Sequence, residues 1–412
     1  MSLRNVRQFL GNNNIVSVMV TQTTAMFIAW LWWPYRSLYI LELGASKEVL
    51  GALLMIETVG GMVFQLPGGV LADRFGRKKI MLLSAIIGLG SPLIYLLATS
   101  WVHIAPALLL ASTSALSRPA YNALIAESLP PEKRGSGFAA ISFVQKIPRV
   151  FTGVIGGYVV DRYGVLVGVR MILVALFLVS LMRVLIYWRY LEETLTSRTS
   201  VRTRGRGFSL RGVSQMPRDV LLLTIVAGLS AFGVRMIFGF SVVYAVEVIG
   251  LSKMEYGLIG TMVSLISLFL TMPGGFLADR FGKKAVVIVS RVLYSLSAIG
   301  FPLSSSFWHL AAFRVAGSIG LGLGGTFMRV RGGPVWEALV ADVCPTEQRG
   351  RLMGLMGTII SLINVPATWV GGYLYDNVSP EMPFVTSFLM NTLGTALIAV
   401  FFTQRKEETA KT

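Results

Sequence analysis

The sequence predicts an all-α membrane protein in which twelve transmembrane helices form two six-helix bundles. Three observations support this fold class: the composition, twelve apolar segments of membrane-spanning length, and a repeat that relates the two halves of the chain. Of the 412 residues, 54% are hydrophobic and only 14% are charged, and the mean hydropathy is +0.68. Because a soluble protein of this size carries about 25% charged residues, so few charges could not cover a water-exposed surface.

Each apolar segment is long enough to cross the membrane as a helix, since a hydrocarbon core about 30 Å thick needs roughly 20 apolar residues. The chain start lacks a signal-peptide cleavage pattern, so we expect the first segment to be retained as a helix. The expected domains are an N-terminal bundle over residues 1–190, a linker over 191–218 and a C-terminal bundle over 219–412. The predicted spans are residues 15–41, 49–71, 79–100, 102–127, 135–160, 166–190, 219–247, 254–277, 285–304, 307–341, 350–376 and 382–404.

Basic residues are distributed unevenly between the two sides of this topology. Twenty-three Lys and Arg residues fall on the side that carries both termini and the linker, and three (Lys47, Arg162 and Lys253) fall on the other. Because basic loops remain in the cytoplasm, we expect both termini there, in a protein of the cytoplasmic membrane. Topology thus accounts for the net charge of +17, and nucleic-acid binding is excluded. The arginine-rich linker is either a solvated spacer or a segment that docks on anionic lipid headgroups.

The residue types that enzymes and cofactor sites need are scarce. Cys344 is the single cysteine, and the two histidines, His103 and His309, belong to no metal-ligand cluster. The glycine-rich stretch 317–326 looks like a dinucleotide loop, but no strand precedes it and it lies in an apolar span. We therefore expect no catalytic residue, no metal and no cofactor.

An internal repeat relates the two halves. Residues 67–79 (PGGVLADRFGRKK) and 273–285 (PGGFLADRFGKKA) match at ten of thirteen positions, at an offset of 206. Later segments match at an offset of 215, as in GGYVVD at 156–161 and GGYLYD at 371–376. Two halves of six spans each have the same orientation, so we expect parallel repeats about an axis normal to the membrane.

The repeated loop contains residue types suited to a gate. A small residue permits close helix packing, a second glycine permits a tight turn, an aspartate can accept hydrogen bonds from a helix N-terminus, and basic residues can pair with carboxylates or lipid phosphates. The alternative interpretation is a topology anchor only. The predicted gating residues are Gly69, Asp73, Arg74, Gly76 and Arg77 in the first copy and Gly275, Asp279, Arg280, Gly282 and Lys283 in the second.

This pattern resembles the signature loop between the second and third helices of the major facilitator superfamily. The resemblance extends over the whole chain through the helix count, the central linker and the duplicated loops. It implies a secondary transporter with alternating access, in which the loops act as a latch that holds one state of the cycle. It also implies that the first, fourth, seventh and tenth helices line a central cavity.

Charged residues inside spans are costly and mark candidate functional positions. Glu57, about 20 Å from the cytoplasmic end of the second span, is the expected proton carrier, or else an outer-leaflet residue satisfied by a hydroxyl or water. The excess of interior cations favours a substrate with a carboxylate or phosphate. The remaining residues predicted for the substrate and proton path are Trp32, Arg36, Arg118, Lys146, Arg149, Arg235, Arg314 and Arg329.

The expected function is proton-coupled transport of a small organic solute by a monomer. The duplicated latch and the arginine in the fourth span resemble the efflux branch of the superfamily and favour export. The fifth span has Thr152-Gly153-Val154-Ile155-Gly156-Gly157, where efflux members carry Gly-Pro-x-x-Gly-Gly, so this feature agrees only in part. The alternatives are uptake or exchange of an organic anion and, from another class, a non-transporting membrane sensor or scaffold on the same fold.

Overall fold

The computed structural model describes residues 12–130, 137, 141, 144–145, 148–195, 216–325, 333–345 and 348–402, and every regular element within them is helical. The chain divides into two compact units. The first unit contains Met1–Arg204 and Ala245–Thr261, and the second contains Gly205–Tyr244 and Met262–Thr412.

The helices of the first 204 residues form membrane spans, some of which are single helices and some of which are divided into two shorter helices. Short 3-10 segments at Trp33–Tyr35, Trp101–His103 and Pro148–Phe151 join or precede several of them. The α-helices are α1 (Asn13–Trp32), α2 (Arg36–Glu42), α3 (Lys47–Phe75), α4 (Arg77–Gly88), α5 (Gly90–Leu97), α6 (Ile104–Ser112), α7 (Ser114–Ser128), α8 (Thr152–Tyr163) and α9 (Val165–Tyr190).

The later helices repeat this arrangement along the chain. They are α10 (Arg218–Phe238), α11 (Ser241–Glu247), α12 (Lys253–Phe281), α13 (Lys283–Ile299), α14 (Phe307–Gly324), α15 (Pro334–Val343), α16 (Arg349–Ile363), α17 (Ala367–Asn377) and α18 (Met382–Phe401). Eight candidate spans within the described residues are long and apolar enough to cross a membrane. Together with the remaining helices, which fall on the other predicted spans, they confirm an all-α membrane protein with twelve spans.

Local sequence determines where these helices begin and end. Ser46 accepts a hydrogen bond from the Val49 amide at 3.1 Å and so caps the start of α3, as N-terminal serines commonly do. The same helix ends at Gly76, whose φ of 104° suits glycine and strains other residues. Gly282 has a φ of 87° at the equivalent place after α12. The repeated loops therefore have the same backbone turn.

Each unit has its own apolar core. In the first unit, Ile15, Ile80 and Leu124 belong to a buried cluster contributed by α1, α4 and α7. In the second unit, Trp336 and Met356 belong to a larger cluster that draws on α10, α13, α15, α16 and α18. These cores fix the helices that carry the charged side chains described below.

Candidate functional site

A buried ion pair joins the first and second spans within the first unit. A 3-10 turn containing Pro34 interrupts the first span, and Arg36 is the first residue of α2. Its guanidinium lies 2.9 Å from the carboxylate of Glu57, and the two side chains are 7% and 26% exposed. Glu57 lies in the third turn of α3, about 15 Å from the start of that helix. The pair is therefore deep enough for its charges to be poorly hydrated.

Aromatic side chains surround this ion pair. The Arg36 guanidinium lies 4.1 Å from the centroid of Trp33, a cation–π geometry. Trp32 is buried, and its ring packs edge-on against Tyr95 at 4.9 Å. The Tyr39 hydroxyl donates to the Tyr95 carbonyl at 2.6 Å. An apolar wall of this kind strengthens the attraction between the two charges and raises the cost of leaving either one alone.

The structure thus brings together three of the predicted path residues: Trp32, Arg36 and Glu57. Protonation of Glu57 in this pair has a consequence for Arg36. If Glu57 takes up a proton, Arg36 loses its counter-charge, so another group must compensate the arginine or the arginine must reach water. A carboxylate arranged in this way can exchange a proton against a change of conformation or of bound solute.

The other predicted path residues do not join this pair in the described structure. Arg314 on α14 donates to the Ser297 hydroxyl at 2.8 Å and lies 5.7 Å from the Phe301 ring, within the second unit. Arg118 on α7 is exposed, and Arg235 on α10 is half-buried. The last group has no described side chain: Lys146 and Arg329 lie outside the described residues, and Arg149 is described only through its backbone.

In the first gating loop, Arg77 is the centre of a charged network. Its buried guanidinium lies 2.5 Å from the exposed carboxylate of Asp73 and 3.3 Å from Glu127 on α7. Glu193 accepts hydrogen bonds from the Arg77 and Lys78 amides at 2.8 and 3.2 Å. Glu193 thus caps α4, with its negative charge at the helix N-terminus.

Sequence reasoning missed Glu193, although the pair Glu192-Glu193 follows the sixth span. A Cβ on Gly76 would clash with the Glu193 carboxylate, so the glycine is needed for this cap as well as for its backbone angle. The role predicted for Asp73 at a helix terminus remains a prediction, because the described contact of Asp73 is with Arg77.

The second gating loop has different partners. Lys283 lies 2.6 Å from Asp342 at the end of α15, and the Asp279 carboxylate is exposed. The neighbouring Lys284 ammonium donates to the carbonyls of Ala399 and Phe402 at 3.0 and 2.5 Å. Arg74 and Arg280, which correspond in the two loops, each lie 5.3 Å from the ring of the phenylalanine that follows.

Glycine packing in the loops also differs by one residue from the prediction. A Cβ on Gly68 would meet the backbone oxygen of Leu116 at 2.5 Å, whereas a Cβ on Gly69 would meet only Pro119, at 3.8 Å. In the second loop, Gly274 rather than Gly275 abuts the backbone at Leu323. The close helix approach is therefore made by the first glycine of each pair.

The first unit also contains a cap that the sequence did not predict. The Asp161 carboxylate at the end of α8 accepts hydrogen bonds from the amides of Lys253 and Met254 at 3.1 and 2.8 Å, at the start of α12. Backbone contact is close here, because a Cβ on Gly157 would meet Met254 at 2.7 Å. The signal was in the sequence: Gly-Gly-x-x-x-Asp at 156–161 has the same spacing as Gly68-Gly69-x-x-x-Asp73.

Several known proteins resemble this chain in sequence. A Na(+), Li(+), K(+)/H(+) antiporter of Planococcus maritimus is 27% identical over 385 residues, which cover 83% of this chain and 86% of the relative. The quinolone resistance protein NorA of Staphylococcus aureus (strain MRSA252) is 27% identical over 194 residues, or 47% of each chain. The second match therefore spans about half the length of that relative.

Solved structures with the same fold include a mutant of the nucleoside transporter NupG, with a TM-score of 0.74, 13% identity and coverage of 94% of this chain and 99% of the other. A bacterial homologue of the iron transporter ferroportin in an inward-facing state has a TM-score of 0.73 and 14% identity, and the match covers 97% of this chain and 99% of the other. At these identities the likeness shows the fold alone. The family model of the Major Facilitator Superfamily matches residues 18–328 and 223–412. The chain is a membrane transporter that belongs to the major facilitator superfamily.

Proposed function

We propose that this transporter exports a small organic solute in exchange for protons and that Glu57 is the group that loads the proton. The observation that carries the proposal is the ion pair between Arg36 and Glu57, which is 2.9 Å long and lies inside the second span. A carboxylate at this depth is costly unless it is paired or protonated. It therefore has two low-energy states: ionised beside Arg36, or neutral when Arg36 is compensated in another way.

The relatives support this proposal through what they are named for. The Planococcus relative is an antiporter that includes H(+) in its name, and it aligns with most of this chain. The Staphylococcus relative is named for quinolone resistance, which agrees with export of an organic compound, although the match covers 47% of each chain. The ion pair and the name of the Planococcus relative both favour exchange of protons.

A proton gradient would drive the cycle through the neutralisation of Glu57. When the proton binds, Arg36 loses its counter-charge, and the arrangement of α2 and α3 that placed the two groups together becomes less stable. When the solute binds, it favours the state in which the proton leaves. Such reciprocal coupling requires that proton and solute each alter the affinity of the other by the same factor.

The test uses everted membrane vesicles from cells that overproduce the protein, acidified inside by respiration and monitored with acridine orange. Norfloxacin or ciprofloxacin, which both carry a carboxylate, should dissipate the pH gradient in wild-type vesicles. Glu57→Gln should abolish this response because the amide cannot titrate. Glu48→Gln, in the first turn of the same helix, removes the same charge outside the ion pair and should respond like wild type.

A response that survives in Glu57→Gln would refute the assigned role of this residue. A second candidate function is exchange of alkali cations for protons, which the coverage of the Planococcus relative favours. In that case NaCl, LiCl or KCl would dissipate the gradient in wild-type vesicles and the organic compounds would not.

We further propose that the protein lies in the cytoplasmic membrane as a monomer, with both termini and residues 191–218 in the cytoplasm. The support is the excess of basic residues on that side. In a Cys344→Ser background, Ser200→Cys should resist a membrane-impermeant maleimide in intact cells, and Ser305→Cys should react. Cys344 itself is buried, and burial raises the pKa of its thiol, so the unsubstituted protein should also label weakly. Rapid labelling at position 200 in intact cells would reverse the proposed orientation.

A further inference from the structure

A cavity of about 240 Å³ lies within the first unit, and neither Arg36 nor Glu57 lines it. Four helices, α1, α4, α7 and α9, contribute to its wall, together with α5 and α6 at one edge. Part of its lining is polar. The residues that matter here are Gln22, Ser84, Ser117, Ser180, Arg183 and Tyr187.

Arg183 is the cation of this cavity. It lies about 10 Å along α9 from the end of that helix at Tyr190, so its charge is within the span. Its Nε atom is fully buried and has no hydrogen-bond partner. No hydrogen bond or ion pair connects Arg183 to another side chain or backbone group in the part of the chain that the structure describes. The lining contains hydroxyl and amide groups but no carboxylate.

An arginine in this position needs a counter-charge, because an unpaired charge within a span is costly. The side chain is half-buried and borders the cavity beside α4. A Cβ built on Gly88 would lie 3.9 Å from one of its terminal nitrogens. The fork of N–H groups on arginine matches the two oxygens of a carboxylate or the oxygens of a phosphate.

The size of the cavity limits the ligand. Binding pockets for drug-sized molecules occupy about 300–1,000 Å³, and this cavity is slightly smaller. It therefore suits a small anion, or the anionic end of a longer molecule. Hydroxyl groups of Ser84 and Ser117 donate to backbone carbonyls, so Arg183 supplies the charge, and Gln22 and Tyr187 offer further polar groups.

We propose that this cavity binds the anionic group of a small organic solute, with Arg183 as the residue that recognises a carboxylate. The proposal rests on the proposed transport function and names the substrate class. An anionic lipid headgroup has the same chemistry, but we assign the site to a free solute because a volume of about 240 Å³ suits a compact anion.

Binding is tested on purified full-length protein by isothermal titration calorimetry with benzoate, benzamide and benzylamine, which share a ring and differ in charge. Benzoate should bind the wild type, and the other two should bind much more weakly. Arg183→Gln should weaken benzoate binding at least about 30-fold, because a desolvated charge pair loses one partner. Arg183→Lys keeps the charge without the fork and should retain part of the affinity.

Arg189→Gln is the matched control, since it removes the same charge from the exposed end of the same helix. It should bind benzoate like wild type. Each variant should elute as a single species and keep its melting temperature within a few degrees, so that loss of binding is not loss of fold. Equal benzoate affinity in wild type and Arg183→Gln would overturn the proposal.

A separate experiment tests whether the cavity binds an anionic lipid headgroup instead of a free solute. Native mass spectrometry of wild type and Arg183→Gln, each supplemented with phosphatidylglycerol, should show equal lipid retention. If Arg183→Gln loses phosphatidylglycerol and the wild type fails to bind benzoate, the site is a lipid site and the solute assignment is wrong. The vesicle assay with Glu57→Gln reports on proton coupling independently, so failure of benzoate binding and failure of the proposed function are distinguishable.

Discussion

The two repeats differ most in the interior of their spans, although their loops are nearly identical. At the offset of 206 that relates the loops, Gly44 corresponds to Gly250, and both have a positive φ. At the same offset, Arg36 and Glu57 correspond to Val242 and Val263. The first repeat thus has a buried ion pair where the second has two aliphatic side chains.

The two repeats also differ in the region where the third and sixth spans of each repeat meet. Ser84 and Ser290 correspond and are both buried, but Ala85 and Gly88 of the first repeat correspond to Arg291 and Tyr294 of the second. Arg291 is buried and donates to the Thr395 hydroxyl at 3.1 Å and to the Asn391 carbonyl at 3.2 Å. The second repeat fills this position with large side chains, whereas the first has small residues at the wall of a cavity.

The difference indicates that the chemistry was retained in the loops and helix ends of both repeats but diverged inside them. In both repeats the loop determines where a long helix ends and the next begins. On the functions proposed above, the proton and the solute bind in the first repeat. At the corresponding positions the second repeat has aliphatic side chains or the large side chains of Arg291 and Tyr294.

The largest expected effect comes from giving the first repeat the residue of the second at position 57. Glu57→Val leaves Arg36 buried without its partner and should cost about 3–5 kcal/mol of stability. The double variant Arg36→Val with Glu57→Val should recover most of that loss, because a matched apolar pair replaces a buried ion pair at little cost. Thermal unfolding in detergent measures both.

The double variant should nevertheless lack proton-coupled transport, since it has no titratable group at this position. If the single variant is as stable as wild type, the ion pair is not desolvated. The difference between this pair and Val242 and Val263 would then have no effect on stability. If the double variant still responds in the vesicle assay, the proton is carried elsewhere.

A smaller effect, on benzoate affinity, is expected when the cavity is filled by the large side chain that the second repeat has at the corresponding position. Gly88→Tyr introduces the residue found at Tyr294 and should reduce benzoate affinity at least about tenfold, because the ring occupies the space near Arg183. Gly88→Ala is the control, since its Cβ makes only ordinary contact at 3.9 Å and should leave binding unchanged. Both affinities are measured by calorimetry. Unchanged binding in Gly88→Tyr, with the fold intact, would place the benzoate site outside the cavity.

The smallest effect on stability should come from the loops. Asp73 is exposed, so Asp73→Asn should cost no more than about 1 kcal/mol. Transport should fall sharply, because Arg77 loses one of its two carboxylate partners. Asp279→Asn should cost less transport, since the lysine of the second loop pairs with Asp342 instead. Initial rates in the vesicle assay compare them, and equal, negligible losses would reduce both loops to topology anchors.

The fold was readable from the sequence because hydropathy, span length and the loop repeat all depend on local residue patterns. Where the structure describes both ends of a predicted span, the span agrees with the helices to within a few residues, and the ends at Gly76 and Gly282 follow from glycine chemistry. The start of the fifth predicted span, 135–160, lies outside the described residues. The site was only partly readable. Arg36 and Glu57 were both selected as interior charges, but their pairing depends on the 3-10 break before α2, which places Arg36 opposite α3.

Arg183 and Glu193 show why the rest could not be predicted. Arg183 lies near the end of a span, where an arginine ordinarily reaches the headgroups, and only the packing of α4 against α9 shows that it faces a cavity. Glu193 follows the sixth span, and nothing local indicates that it caps α4. Tertiary contacts between segments far apart in the chain decide both cases.

The most direct test of the account is the proton released when the solute binds. Purified wild-type protein, in weakly buffered detergent with a pH-indicator dye and at a pH low enough for Glu57 to carry the proton, should release up to about one proton per molecule when norfloxacin is added, because solute binding favours ionised Glu57. Glu57→Gln should bind norfloxacin and release none, and Glu48→Gln should match wild type. Equal proton release from wild type and Glu57→Gln would contradict the claim that Glu57 couples protons to the solute.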